Sequence, residues 1–99
     1  MEIKFNKYDK DKARVSLVQP GFILGTAKVL TFGANKYGVD NWKLIPNSEV
    51  YRYKDALMRH LLAYLAGEKV DPDSGLLHLD HIAANTMFLR HFDIKLGDK

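Results

Sequence analysis

The chain has no cysteine, no apolar run of bilayer length and no strong excess of charge of either sign. Without cysteine, disulfides and thiolate-based zinc sites are excluded, and a reducing compartment is compatible with the composition. The first residues, Met1-Glu-Ile-Lys-Phe-Asn-Lys7, lack the apolar stretch of a signal peptide. No segment approaches the roughly 18–20 apolar residues that a membrane-spanning helix needs. These absences lead to the expectation of a soluble, cytoplasmic protein with no membrane partner. The net charge of +3 is mild. Lys4, Lys7, Lys10, Lys12 and Arg14 concentrate in a basic arm over residues 1–16, but Glu2, Asp9 and Asp11 leave it only +2. That is weak for a nucleic-acid tail, so a solvated arm is expected and nucleic acid is not an expected partner. Repeats, low-complexity segments and strand-like alternation are also missing.

What is there is a helical pattern over 99 residues, of which 46% are apolar and 27% charged. This suits a single domain over residues 1–99, all-α, a small bundle of about three main helices. So short a chain gains by burying a second face against its own copy, and a homo-oligomer, dimer or tetramer, is expected. Pro20 suits a first helical turn and Gly38 a helix stop, predicting a helix over 20–37 with Phe22, Ile23, Ala27, Leu30 and Ala34 as its stripe. After a loop at 38–47, Asn47 or Ser48 is the predicted cap of a helix running to about Gly67, with Tyr53, Ala56, Leu57, His60, Leu61, Tyr64 and Leu65 inward. A turn at 68–75 leads to a third helix over about 76–94, with Leu79, Ile82, Ala83, Thr86, Met87 and Arg90 in phase; Leu96 to Lys99 should fray.

The stretch Arg59 to Asn85 holds three of the four histidines and four of the twelve acidic residues. His78, His81 and Asn85 stand at i, i+3 and i+7 and share a helix face. Antiparallel packing through the turn brings Glu68 and Asp71 near His78 and leaves His60 about two turns away. Imidazoles with carboxylates suit a divalent cation or polar contacts to phosphate. The alternative is structural: hydrogen-bonded core histidines, with Asp71 and Asp73 making the turn. A second constellation runs from Thr31 to Trp42. Gly33 inside a helix suggests close helix approach or ligand contact. Lys36 suits a phosphate, Tyr37 and Trp42 offer flat faces for a base, and Asn41 offers a donor–acceptor pair. The alternative there is a helix end whose aromatics close the core.

Taken in order, Lys7-Tyr-Asp-Lys-Asp-Lys-Ala-Arg14, Leu30-Thr-Phe-Gly-Ala-Asn-Lys-Tyr-Gly38, Asn41-Trp42, Arg59-His60, Gly67-Glu68, Asp71-Pro-Asp-Ser-Gly75 and His78-Leu-Asp-His81 with Asn85 resemble a phage-associated family of dATP/dGTP diphosphohydrolases, related to the MazG-like all-α NTP pyrophosphatases. The resemblance implies an oligomeric α-helical enzyme that uses Mg²⁺ or Mn²⁺ to cleave a purine dNTP to dNMP and pyrophosphate. It casts His60, His78 and His81 as catalytic and Glu68, Asp71 and Asp80 as metal-binding. Lys36, Tyr37, Asn41, Trp42, Arg59 and Asn85 become contacts to the purine nucleotide. MazG-like enzymes carry Glu-x-x-Glu and Glu-x-x-Asp pairs where this chain reads Arg59-His60 and His78-Leu-Asp80-His81. A nucleotide-binding module of the same fold, without turnover, is therefore the alternative function.

Overall fold

A computed structural model describes residues 3–8 and 10–97. Glu2 and Asp9, which enter the charge balance of the basic arm, and Asp98 and Lys99 of the expected frayed end lie outside the described residues. The fold is all-α. Helices α1 (Pro20–Tyr37), α2 (Tyr51–Leu65) and α3 (His78–Gly97) follow a short 3₁₀ turn at Val15–Leu17. Two more 3₁₀ turns, Asn41–Leu44 and Asn47–Glu49, connect α1 to α2. Among the described residues the only β pairing is an isolated bridge between Val70 and Leu77. No helix there is long and apolar enough to cross a membrane.

The bounds of α1 match the sequence expectation because both ends are chemically marked. Pro20 occupies the first turn, and Gly38 takes φ 103° while its N–H closes on the Ala34 carbonyl at 2.8 Å. Neither Asn47 nor Ser48 caps α2. Pro46 precedes a separate 3₁₀ turn, Val50 stands at the N-cap without a side-chain bond, and Glu49 instead meets Arg52 at 3.3 Å. At the other end, α2 stops at Leu65, and Gly67 takes φ 102°. The Glu68 N–H reaches the Ala63 carbonyl and the Gly67 N–H reaches that of Tyr64, both at 3.0 Å, which is a Schellman end.

Helix α3 packs against both α1 and α2. Its buried face is Ala84, Phe92, His78, His81 and Asn85. The predicted stripe is displaced: Leu79 is 47% exposed, and Thr86 and Arg90 face solvent. On α1 the buried line is Gly25 and Val29, whereas Phe22, Ile23 and Ala27 are exposed. Close approach occurs at Gly25, where the Asp80 carboxylate of α3 fills the space a Cβ would need. Gly33, for which the sequence suggested that role, has open space beside it. Trp42 stacks on Phe88 at 4.6 Å and meets His91 and Phe92 edge-on. The Tyr53 hydroxyl donates to the Trp42 carbonyl at 2.6 Å, tying loop, α2 and α3 into one aromatic cluster.

Much surface stays uncovered. The radius of gyration is 18.0 Å, against about 13 Å for a compact chain of this length. The accessible area is 8166 Å², against roughly 5,700 Å² for a compact monomer of this mass. Tyr51, Met58, Leu62 and Leu65 form an exposed apolar stripe along α2, at the 3–4 and 7 residue spacings of a helix-packing seam.

Candidate functional site

The segment between α2 and α3 folds back on itself through main-chain bonds. Asp71 N–H donates to Leu76 O and Gly75 N–H to Asp71 O, both at 2.8 Å, and His78 N–H donates to Lys69 O at 2.9 Å. Gly75 adopts φ 73°, a left-handed conformation that a side chain would oppose. This reversal sets the start of α3 beside the middle of α2. His60 therefore meets His78 directly, Nδ1 to Nδ1 at 2.8 Å, instead of lying two turns away.

Four further contacts complete the cluster. His78 Nε2 lies 2.7 Å from Glu68 Oε1. His81 Nε2 lies 2.7 Å from Ser74 Oγ, and Ser74 Oγ lies 2.9 Å from Asp71 Oδ2. The His60 and His81 rings stack nearly parallel, with centroids 4.2 Å apart. His78 and His81 are buried, His60 and Asp71 half-buried, and Glu68 exposed.

Donor counting assigns the protons. The Ser74 hydroxyl has one hydrogen and gives it to Asp71, so it must accept from His81 Nε2–H. Glu68 has none to give, so His78 donates through Nε2–H. Both residues then hold their Nδ1 lone pairs free of that proton. Burial pushes the His60 and His81 imidazoles below their ordinary range. For His60, nearby His81 adds to this and Asp71 opposes it; for His81, Asp71 and, less strongly, Asp80 oppose it while His78 adds. Both therefore stay neutral, and able to accept a proton, near neutral pH. Partial burial works against the Asp71 carboxylate, but the Ser74 hydroxyl and N–H hold it below its usual value, with His81 helping.

An open cleft of about 820 Å³ begins at this cluster, with His81 and Asn85 in its wall. Arg59, Tyr37 and Asn41 line it further along. Asn85 is buried and donates from Nδ2 to the His81 carbonyl at 2.9 Å. Trp42 borders the cleft, but Phe88 occupies one face of its ring. Lys36 is exposed, 5.2 Å from the Tyr37 ring, and outside the cleft lining.

Of the residues the sequence grouped as metal ligands, Glu68 and Asp71 join the histidines. Asp80 does not; its carboxylate turns to Gly25 on α1. The donors that converge within 4.8 Å of one another are His60, Asp71 and His78. Ser74 was missed as a site residue, although Asp-x-x-Ser is the spacing of a side-chain-closed turn.

The family model for the N-terminal part of dATP/dGTP diphosphohydrolases matches residues 3–99. The chain belongs to that family. Within it, a protein of Salmonella phage PMBT28 called dATP/dGTP diphosphohydrolase is 37% identical over 83 residues, which cover 84% of this chain and 28% of the phage protein. The chain thus spans under a third of that relative's length. No solved structure matches. The matched region takes in every residue of the histidine–carboxylate cluster and of the cleft.

Proposed function

We propose that this chain is a metal-dependent nucleotide pyrophosphohydrolase that cleaves purine dNTPs of the dATP/dGTP kind to dNMP and pyrophosphate. The observation that carries the reading is the cluster of His60, His78, His81, Glu68 and Asp71 with His81 opening onto the cleft, in a member of this family. The cleft is in the size range of small-molecule sites. Arg59 brings positive charge to the phosphates, while Tyr37 and Asn41 offer a flat face and a donor–acceptor pair to the purine. Asn85, in the cleft wall beside His81, offers a further polar contact to base or sugar.

Water attacks the α-phosphorus, the α–β P–O bond breaks, and pyrophosphate leaves. His81 Nδ1 takes the proton from that water, and the Ser74–Asp71 pair holds the imidazole in the tautomer that permits it. A divalent cation, Mg²⁺ or Mn²⁺ in this reading, supplies charge neutralisation at the phosphates and lowers the pKa of water beside it. His60, His78 and Asp71 are the side chains that would hold such an ion, and their nitrogen content fits Mn²⁺ better than Mg²⁺. The test is incubation of the pure chain with dGTP or dATP and Mn²⁺, reading pyrophosphate. His81→Ala should lower kcat by about 10²–10⁴, and Ser74→Ala should lower it less. No pyrophosphate from any purine nucleotide would reject the reading.

The position of Asp80 favours a second reading, a nucleotide-binding module without turnover, because it leaves the cluster with two carboxylates. Calorimetry with recovery of intact nucleotide would support this reading, and product formation would exclude it.

A further inference from the structure

We propose that His60, His78 and Asp71 form a selective site for a first-row transition-metal dication of the Co²⁺–Zn²⁺ kind, which they bind in preference to Mg²⁺. This deepens the hydrolase reading, since it concerns the cation of the same site, but its test reads binding and not turnover.

Three observations carry the inference. First, donor atoms of these three residues already lie within 4.8 Å of one another, two from imidazoles and one from a carboxylate. A set with two nitrogens suits borderline cations, whereas Mg²⁺ favours an all-oxygen octahedron and gives up its water reluctantly. Second, the carboxylate that would have made the site oxygen-rich, Asp80, lies against Gly25 on α1 and outside the converging donor set.

Third, Glu68 is placed as a supporting residue. Its Oε1 accepts from His78 Nε2 at 2.7 Å, which directs the His78 Nδ1 lone pair toward His60. A carboxylate behind a ligating histidine fixes its tautomer and raises its basicity, as at zinc and related centres. Asp71 is held in the same manner by the hydroxyl and N–H of Ser74, at 2.9 and 3.2 Å. The distances also set how far the site must move. The two Nδ1 atoms are 2.8 Å apart, with a single proton between them. Two nitrogens on a tetrahedral Zn²⁺ lie about 3.3 Å apart, given Zn–N bonds of roughly 2.0–2.1 Å. The rings therefore part by about 0.5 Å, and the His60 proton moves from Nδ1 to Nε2. Both rings must also turn so that their lone pairs meet at the ion, with the Asp71 oxygen drawing in from within 4.8 Å, and three protein ligands leave a position open for water or a phosphate oxygen.

The experiment uses the full chain after removal of metal with EDTA. Titration with Co²⁺ should give intense visible bands of a low-coordinate, nitrogen-ligated ion, saturating at one equivalent per chain. A roughly hundredfold excess of Mg²⁺ should leave the bands in place, while Zn²⁺ should abolish them. Calorimetry with Zn²⁺ should show affinity falling by about 10–100-fold in Glu68→Gln and by more in Asp71→Asn and His78→Gln, with Asp80→Asn within about twofold of wild type. Because the ligand variants can misfold, the wild-type chain provides an independent readout. On adding Zn²⁺, the ¹⁵N resonances of His60 and His78 should shift and those of His91 should not. Displacement of Co²⁺ by equimolar Mg²⁺, or unmoved His60 and His78 nitrogens, overturns the proposal. Mg²⁺-supported hydrolysis without Zn²⁺ at these histidines would overturn it and leave the hydrolase reading standing. Zn²⁺ bound there without hydrolysis would do the reverse.

Discussion

Replacing Gly25 with alanine tests the close approach of α1 and α3 and, with it, the assignment of Asp80. The new Cβ would fall on the Asp80 carboxylate, so one of the two must shift. Overpacking of this kind costs about 1–3 kcal/mol. Turning the Asp80 side chain away offers partial escape, at about 0.5–1.5 kcal/mol if it leaves its rotamer. Against this, alanine inside a helix gains about 1 kcal/mol over glycine. The net expectation for Gly25→Ala is a loss of about 1 kcal/mol. In an Asp80→Ala background the obstacle is gone, and the same substitution should stabilise by about 1 kcal/mol. The effect thus changes sign, with a coupling of roughly 1–3 kcal/mol across the double-mutant cycle. Urea denaturation followed by circular dichroism reads it directly, and each kcal/mol corresponds to about 4–8 °C in Tm for a domain of this size. Equal stabilisation by Gly25→Ala in both backgrounds would refute the α1–α3 contact and return Asp80 to the list of possible ligands.

Acidification of the metal-free protein should weaken the fold below pH 7. The folded-state pKa values of His60 and His81 lie below the ordinary 6.5, so the unfolded chain binds more protons as pH falls through that value. The urea midpoint should drop steadily between about pH 7 and pH 5, and a flat or rising midpoint contradicts the buried neutral histidines. The Asp71 contribution is present above its unfolded value of 3.8 and disappears only below it, as pH falls through the lower folded pKa. Phe92→Ala should cost about 3–5 kcal/mol, because Phe92 is 1% exposed and packed by Trp42 and Tyr53. Loss of less than about 1 kcal/mol would show that this aromatic cluster does not carry the core. Light scattering should give a dimer or larger, since Tyr51, Met58, Leu62 and Leu65 leave a helix-packing seam exposed along α2. A strict monomer at high micromolar concentration would assign the α2 stripe to some other partner.

The sequence made α1 legible to the residue because Pro20 and Gly38 are chemical punctuation. The start of α2 was not, because no side chain caps it and the 3₁₀ turn after Pro46 imitates a first helical turn. On α3, apolar residues occur all round the helix, so periodicity could not say that His78, His81 and Asn85 face inward while Leu79 faces out. The partnership of Glu68 and Asp71 with the histidines followed from the turn composition. The meeting of His60 with His78 did not, because it depends on how far the 68–77 reversal carries the chain back. Asp80 is one residue from His81 yet faces another helix, a distinction set by helical phase and by the missing side chain at Gly25.

The backbone bonds that close the 68–77 reversal have a further consequence. Asp71 and His78 are fixed by main-chain pairing to Leu76 and Lys69, and Glu68 by the Schellman end of α2. The donors are thus preorganised by folding, and an arriving cation has almost no chain left to order. Small zinc domains behave otherwise, unfolding when their metal is withdrawn. Here chelation should leave the helical signal intact and the amides of residues 71, 75 and 78 protected from hydrogen exchange. Capture and release of the ion would then be governed by its own dehydration and by two imidazole rings moving apart.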